Sequence, residues 1–304
     1  MRAEETRRDR IPAAILMSGT GSNARKLLEY ARRSECAYRV RVIISDNPDS
    51  NYRRIAEDFG VPSQLNDIYA FFGLPRPGQG PEPADRARLK DPEGRESFDR
   101  RTREILDRYG VQLVALAGYD WVISPLLCRN YIVVNVHPGD LRVRDSRGCR
   151  RYIGLGWVPT AKAILAGERS VHSTTHLVSP ELDGGPIARV SQGVPIDLPA
   201  GVAPENILPE GARLGDVIRA VRSGDDPDLE SGLLVTQARQ VQERLKRLGD
   251  WVEFPRTLDR VAALMRSGRL GRGADDGILL DGAPVEDLFL QDETAEEETA
   301  AEEQ

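Results

Sequence analysis

The sequence predicts an α/β fold, a doubly wound and mostly parallel sheet with a helical C-terminal extension. Three observations carry that prediction. Short apolar runs alternate with helical patterns at a spacing that needs crossover connections, the signature of βαβ units. A glycine-rich turn, Gly19 to Ala24, directly follows the first apolar run. A later run ends in Asn135 and His137, two positions apart and so on one face of a strand, before Pro138 stops the ladder. Open α/β sheets bind ligands outside the carboxyl ends of their strands, where this pair falls. Taken alone, the pair reads equally well as satisfied polar groups at a strand end.

In chain order, Ala13 to Met17 is a buried strand ended by Ser18-Gly19, and the pattern Leu27-Leu28, Tyr30-Ala31 is a helix. Val40 to Ile44 is the second strand, ended by Ser45-Asp46-Asn47-Pro48. Ile55, Ala56 and Phe59 mark a helix stopped by Gly60, with Pro62 just beyond. Gly73 to Gly94 is rich in Pro, Gly and charge and reads as an inserted surface loop. Ser97 to Arg108 is amphipathic, Val111 to Ala117 is a third strand, and Pro125 to Asn130 is a short helix leading into the Asn135 strand. Gly139 to Pro159 is irregular and basic, with Arg142, Arg144, Arg147, Arg150 and Arg151. Ala161 to Ala166 is helical, Ser173 to Val178 and Ile187 to Val194 are strand-like, and Leu233 to Leu248 and Trp251 to Met265 are helices.

With 304 residues, 40% hydrophobic and 30% charged, the chain can bury a sizeable core. A formal net charge of -6 gives no general argument for nucleic acid or a membrane surface. No apolar run reaches membrane-spanning length, and residues 1–10 lack a secretory apolar stretch, so cytoplasm is the expected location. Cys36, Cys128 and Cys149 contain no CxxC pair, which supports neither a disulfide framework nor a zinc site. No metal is expected.

Gly19 to Ala24 fits G-x-G-x-x-G/A, and Asp46 lies about twenty residues on, as in the dinucleotide fingerprint. An NAD-dependent oxidoreductase is therefore one reading. The physics of the turn is broader. Glycines admit an anion to the backbone, and a helix N-terminus attracts phosphate. Ser22 and Asn23 add polar groups expected to bond a monophosphate and cap the helix.

Five motifs occur in one order: Met17-Ser18-Gly19-Thr20-Gly21-Ser22-Asn23, Ile43 to Asp49, Leu116-Ala117-Gly118-Tyr119, Asn135-Val136-His137-Pro138, and Glu181-Leu182-Asp183-Gly184-Gly185-Pro186. Together they resemble the folate-dependent formyltransferases over about Ala13 to Pro195. The resemblance is greatest to the branch that formylates 5′-phosphoribosylglycinamide in de novo purine synthesis. It implies a Rossmann-like formyltransferase fold and formyl transfer from 10-formyltetrahydrofolate, a co-substrate. It further implies small-molecule substrates, no nucleic acid or membrane partner, and a monomer or homodimer. Asn135, His137 and Asp183 would carry the chemistry, and Gly19, Thr20, Gly21, Ser22 and Asn23 the substrate phosphate. Arg95, Trp121, Val122, Ile123 and Ser179 would line the folate site with Asn135 and Asp183. Asn135 would bond the oxyanion of a tetrahedral intermediate, His137 would donate to it and move protons, and Asp183 would hold the imidazole. A different amine, on a sugar nucleotide or another phosphorylated compound, is the alternative acceptor.

On this reading residues 1–12 are a polar arm and 13–199 the catalytic domain, with insertions at about 73–94 and 139–157. Residues 200–290 are the helical extension and 291–304 a disordered acidic tail. His176 matches a histidine of the family and reads as a satisfied or supporting residue; His172 reads as surface. The chain departs from the family pattern in three places. Trp121 replaces an arginine, and the segment after Pro138 is long and arginine-rich, read either as a solvated loop or as an anion site for a folate tail. The final-helix signature, E-H then Y-P, has only a degenerate counterpart in Gln237 to Trp251.

Overall fold

The computed structural model describes residues 9–76, 89, 91–224, 226–273 and 277–288. Most of the N-terminal arm, the middle of the 73–94 insertion and the acidic tail lie outside the described residues.

The architecture is a seven-stranded sheet in the order β3-β2-β1-β4-β5-β7-β8. β1 (Ile11–Met17), β2 (Tyr38–Ser45), β3 (Ser63–Leu65), β4 (Leu113–Leu116) and β5 (Ile132–His137) run parallel. β7 (Thr174–Leu177) and β8 (Ile187–Val190) are antiparallel additions. β1 shows why both faces are covered. Ala13, Ile15 and Met17 enter one core cluster, whereas Ala14 and Leu16 enter another, the period of two that a strand imposes. The first cluster packs under α1 (Ser22–Ala31) and α2 (Tyr52–Phe59); the second lies under α4 (Pro92–Arg108) and α5 (Pro125–Asn130), with the short α3 (Ile68–Phe72) before them. The strand order reverses between β1 and β4, the switch point where such sheets bind ligands.

The C-terminal part is more closely joined to the sheet than an appended extension. Beyond α6 (Val158–Leu165), the antiparallel pair β6 (Ser170–Val171) and β9 (Val194–Pro195), α7 (Leu214–Ser223) and α8 (Pro227–Glu230), one long helical run crosses back. It consists of α9 (Leu233–Leu245), a π-helical turn (Lys246–Asp250) and α10 (Trp251–Arg266). Phe254, Leu258, Val261 and Ala262 of α10 sit in the same cluster as Ala13, Ile15 and Met17, so the packing does not close at residue 199. Gly249 permits the approach, since a Cβ there would stand 2.9 Å from Ser173 Cβ and 3.0 Å from Ser191 Oγ. The chain then forms a small antiparallel sheet, β10 (Leu270–Arg272), β11 (Ile278–Leu280) and β12 (Ala283–Pro284), where only helix was expected. Its Asp281-Gly282 turn has positive φ at both residues (52° and 83°), a hairpin signal legible in the sequence. Past it, Leu288 N donates to Ile187 O at 2.8 Å on β8.

Candidate active site

β1 delivers the glycine turn to the carboxyl edge of the sheet. Gly21 begins α1 in a left-handed conformation, φ 71°, with no side-chain cap. A Cβ there would stand 2.4 Å from Ile55 Cδ1 and 2.6 Å from Met17 Cε, so only glycine fits. Asn51 N donates to Gly19 O at 3.1 Å, and Asn51 Nδ2 to Thr20 O at 3.2 Å. The turn is thereby held with Gly19 and Thr20 exposed. The capping expected of Ser22 and Asn23 is corrected: both lie within α1, and Asn23 Nδ2 donates to Asp250 Oδ2 at 3.3 Å. Asp250 also accepts from Ser173 Oγ at 2.6 Å. Burial raises its carboxyl above the usual range in spite of both hydrogen bonds. The π-helical turn thus places an acid beside the cradle. The sequence signal is Asp250-Trp251, the last two residues of the segment read as degenerate, followed by Phe254-Pro255, an aromatic-proline pair.

β5 places Asn135 and His137 on one face, and β7 pairs opposite them, Asn135 with His176 and His137 with Thr174. His137 is 2% exposed. Its Nε2 lies 2.7 Å from Tyr152 O. A carbonyl only accepts, so Nε2 carries a proton, and in the neutral ring Nδ1 is then the unprotonated nitrogen. Nδ1 faces Asp183 Oδ1 at 3.4 Å, too long for a full hydrogen bond and the distance of an ion-pair contact. The Tyr152 carbonyl therefore orients the ring, the task expected of Asp183. Nδ1 is left as the proton-accepting atom, with a carboxylate ready to stabilise the charge.

Asp183 is one of two described non-glycine residues with positive φ, at 49°. Gly185 follows at φ 86°, where a Cβ would stand 2.2 Å from Leu177 O. Burial alone would raise the Asp183 carboxyl. The neighbouring His137 imidazole, then His176 and the Gly154 N–H, outweigh it and hold the carboxyl below its usual range.

His176 settles the Asn135 amide. Its Nδ1 lies 2.9 Å from Gly184 O and must donate there, so Nε2 accepts from Asn135 Nδ2 at 3.1 Å. The second Nδ2 hydrogen is left for a ligand. Burial, with His137 and Arg150 adding to it and Asp183 opposing, pushes the His176 imidazole down to about 4. A free histidine titrates near 6.5, so the unfolded chain binds more protons between these values and stability rises with pH there. As the pH falls from 6.5 towards 4 this contribution is lost, about 2 kcal/mol of it by pH 5. Urea unfolding at pH 7.5 and pH 5 should show that loss in the wild type relative to His176→Gln. Equal pH dependence in both proteins would contradict the assignment.

The residues expected to bind folate are placed as follows. Trp121 Nε1 donates to Asp46 Oδ2 at 2.7 Å, which turns the indole inward. Ser18 Oγ donates to the other oxygen of Asp46 at 2.6 Å. Asp46 is thus buried and satisfied rather than presented to a ribose, which corrects the dinucleotide reading. Arg95 is buried, pairs with Asp99 Oδ1 at 3.3 Å, and lies 5.0 Å from the Phe98 ring centroid and 5.7 Å from that of Trp121. Val122 is exposed and Ile123 is in the core. Ser179 Oγ accepts from Glu181 N at 3.3 Å and packs against Gly184, shaping the Asp183 turn.

Two expectations outside this set change. His172 is half-buried rather than surface, with Nδ1 2.9 Å from Ser191 O and Nε2 3.3 Å from Ser170 Oγ. Of the arginines after Pro138, Arg142, Arg144, Arg147 and Arg151 are exposed, but Arg150 is half-buried against the Asp183 turn. Among the described residues no group of three or more His, Cys, Asp or Glu is placed to hold a metal ion, and no helix is long and apolar enough to cross a membrane.

An uncapped helix N-terminus, an amide with one free hydrogen, and an imidazole beside a carboxylate thus lie towards the strand ends of an open α/β sheet, where such sheets bind ligands. The chain belongs to the formyl transferase family, whose model matches residues 12–198. It is 26% identical over 175 residues to the phosphoribosylglycinamide formyltransferase of Escherichia coli K12, covering 57% of this chain and 68% of that protein. It is 22% identical over 192 residues to the trifunctional purine biosynthetic protein adenosine-3 of Gallus gallus, covering 62% of this chain but 16% of that protein. Its fold matches glycinamide ribonucleotide transformylase 1 of Symbiobacterium toebii with a TM-score of 0.55 at 23% identity, over 90% of this chain and 94% of that one.

Proposed function

We propose that the chain transfers a formyl group from 10-formyltetrahydrofolate to the primary amine of 5′-phosphoribosylglycinamide, a step of purine synthesis. The observation that carries this reading is the joint position of the free Asn135 amide hydrogen, His137 Nδ1 and Asp183. The acceptor is drawn from the uncapped turn at Gly19–Gly21, which suits a terminal phosphate, and from the names of the relatives.

The amine nitrogen attacks the formyl carbon, forming a C–N bond while the carbonyl π pair moves to oxygen. Asn135 Nδ2 donates to that oxyanion. His137 Nδ1 takes a proton from the attacking nitrogen, and Asp183 stabilises the imidazolium. The same proton passes to N10 of the folate as the C–N10 bond breaks, giving the formamide and tetrahydrofolate. The degenerate final-helix signature in Gln237 to Trp251 leaves another phosphorylated amine, such as a sugar nucleotide, as the second reading.

The test is an acceptor panel with one formyl donor: 5′-phosphoribosylglycinamide, its dephosphorylated form, and an amino-sugar nucleotide. The first should turn over, and removing its phosphate should raise KM about 10- to 100-fold, the worth of one or two charge-assisted hydrogen bonds. Turnover of the sugar nucleotide alone would select the second reading.

A further inference from the structure

We infer that Arg150 is a positioning residue that clamps the Asp183–Gly185 turn and so aims the Asp183 carboxylate at His137. The inference rests on the reading of that site given above. Arg150 Nη1 donates to Asp183 O, and Nη2 donates to Gly185 O at 2.7 Å. One planar guanidinium thus spans two carbonyls of the turn, a fork that lysine does not reproduce.

The turn needs such a clamp. Asp183 at φ 49° is in a region that costs an L-residue backbone energy, and it persists only where its surroundings over-determine it. Gly185, also at positive φ, is the next hinge. Arg150 bridges the two residues on either side of Gly184. The Asp183 side chain is steered separately by Gly154 N, which donates to Oδ2 at 3.2 Å.

Arg150 is itself held firmly. Asp145 Oδ1 accepts from Arg147 N and Cys149 N, each at 2.9 Å, and Asp145 N donates to Cys149 O at 2.8 Å. Gly148 supplies the positive φ of 80°, and Arg144 pairs with Arg150 across this small hairpin. Two residues further on, the Tyr152 carbonyl fixes the His137 tautomer. The arginine-rich segment therefore governs both members of the His137–Asp183 pair, through Arg150 on one side and Tyr152 on the other.

The experiment compares wild type, Arg150→Ala and Arg150→Lys, with Asp183→Asn alone and combined with Arg150→Ala. Arg150→Ala should lower kcat roughly 10- to 100-fold, the effect of a misplacement near 1 Å, with KM for both substrates within about twofold. Arg150→Lys should fall between the two, and guanidinium chloride, but not equal sodium chloride, should raise kcat of Arg150→Ala. In the Asp183→Asn background the Arg150→Ala effect should shrink to under about twofold, since both act through one carboxylate. A kcat for Arg150→Ala within twofold of wild type overturns the inference, as does full additivity with Asp183→Asn. If the wild type transfers no formyl group, the functional reading fails, and amide hydrogen exchange then tests the clamp without activity. Arg150→Ala should speed exchange at Gly184 and leave β4 unchanged; unchanged exchange at Gly184 overturns the clamp.

Discussion

Replacing His137 with alanine is expected to lower kcat for formyl transfer by about 10²- to 10⁴-fold, the range for removing a positioned general base. The effect should fall on kcat rather than KM, because proton transfer matters only as the tetrahedral intermediate forms and collapses. His137 is buried and donates to Tyr152 O, so its loss leaves a buried carbonyl unpaired. His137→Gln keeps a donor for that carbonyl and lacks the proton-accepting Nδ1. It should be as inactive as the alanine variant while unfolding closer to the wild type. If His137→Gln retains more than a tenth of wild-type kcat, the ring does not carry the proton.

Asn135→Ala should cost about 10²- to 10³-fold in kcat, the measure of one preorganised donor to an oxyanion. The geometry makes a sharper statement through Asn135→Asp. His176 Nε2 offers a lone pair at 3.1 Å, which a carboxylate oxygen would meet unfavourably. A carboxylate would also repel the developing oxyanion. The aspartate variant should therefore be slower than the alanine variant, and steady-state kinetics of the two decide it. An aspartate variant faster than the alanine one would mean that Asn135 does not face the oxyanion.

Much of this is legible in the sequence. Period-two burial along β1, the glycine turn and the Asn135–His137 spacing are local properties, and local physics writes them into short stretches. What escaped was long-range or carried by the backbone. The Tyr152 carbonyl that fixes His137 has no side-chain signature, since every residue owns a carbonyl. The Asn23–Asp250 contact joins residues 227 positions apart, and no periodicity reports such a pairing. The Trp121–Asp46 bond spans 75 positions and takes away an acid that the glycine fingerprint had set aside for a ribose. The sequence pattern predicts α10 as a helix, but its place in the core shared with β1 depends on packing rather than pattern. Arg150 is one of five arginines in a segment whose sequence suits either a solvated loop or an anion site, and nothing in that pattern singles out the one whose fork meets two carbonyls of the Asp183 turn.

On the proposed function, this site moves an intact formyl group between two nitrogens. The most direct measurement mixes the purified protein with 10-formyltetrahydrofolate labelled with ¹³C in the formyl carbon and with 5′-phosphoribosylglycinamide, and follows the label by NMR. The donor signal should be replaced by that of the new formamide, at a rate proportional to wild-type protein and suppressed by His137→Gln. Conversion of the label to free formate, or a donor signal that persists with active-site amounts of protein, would contradict it.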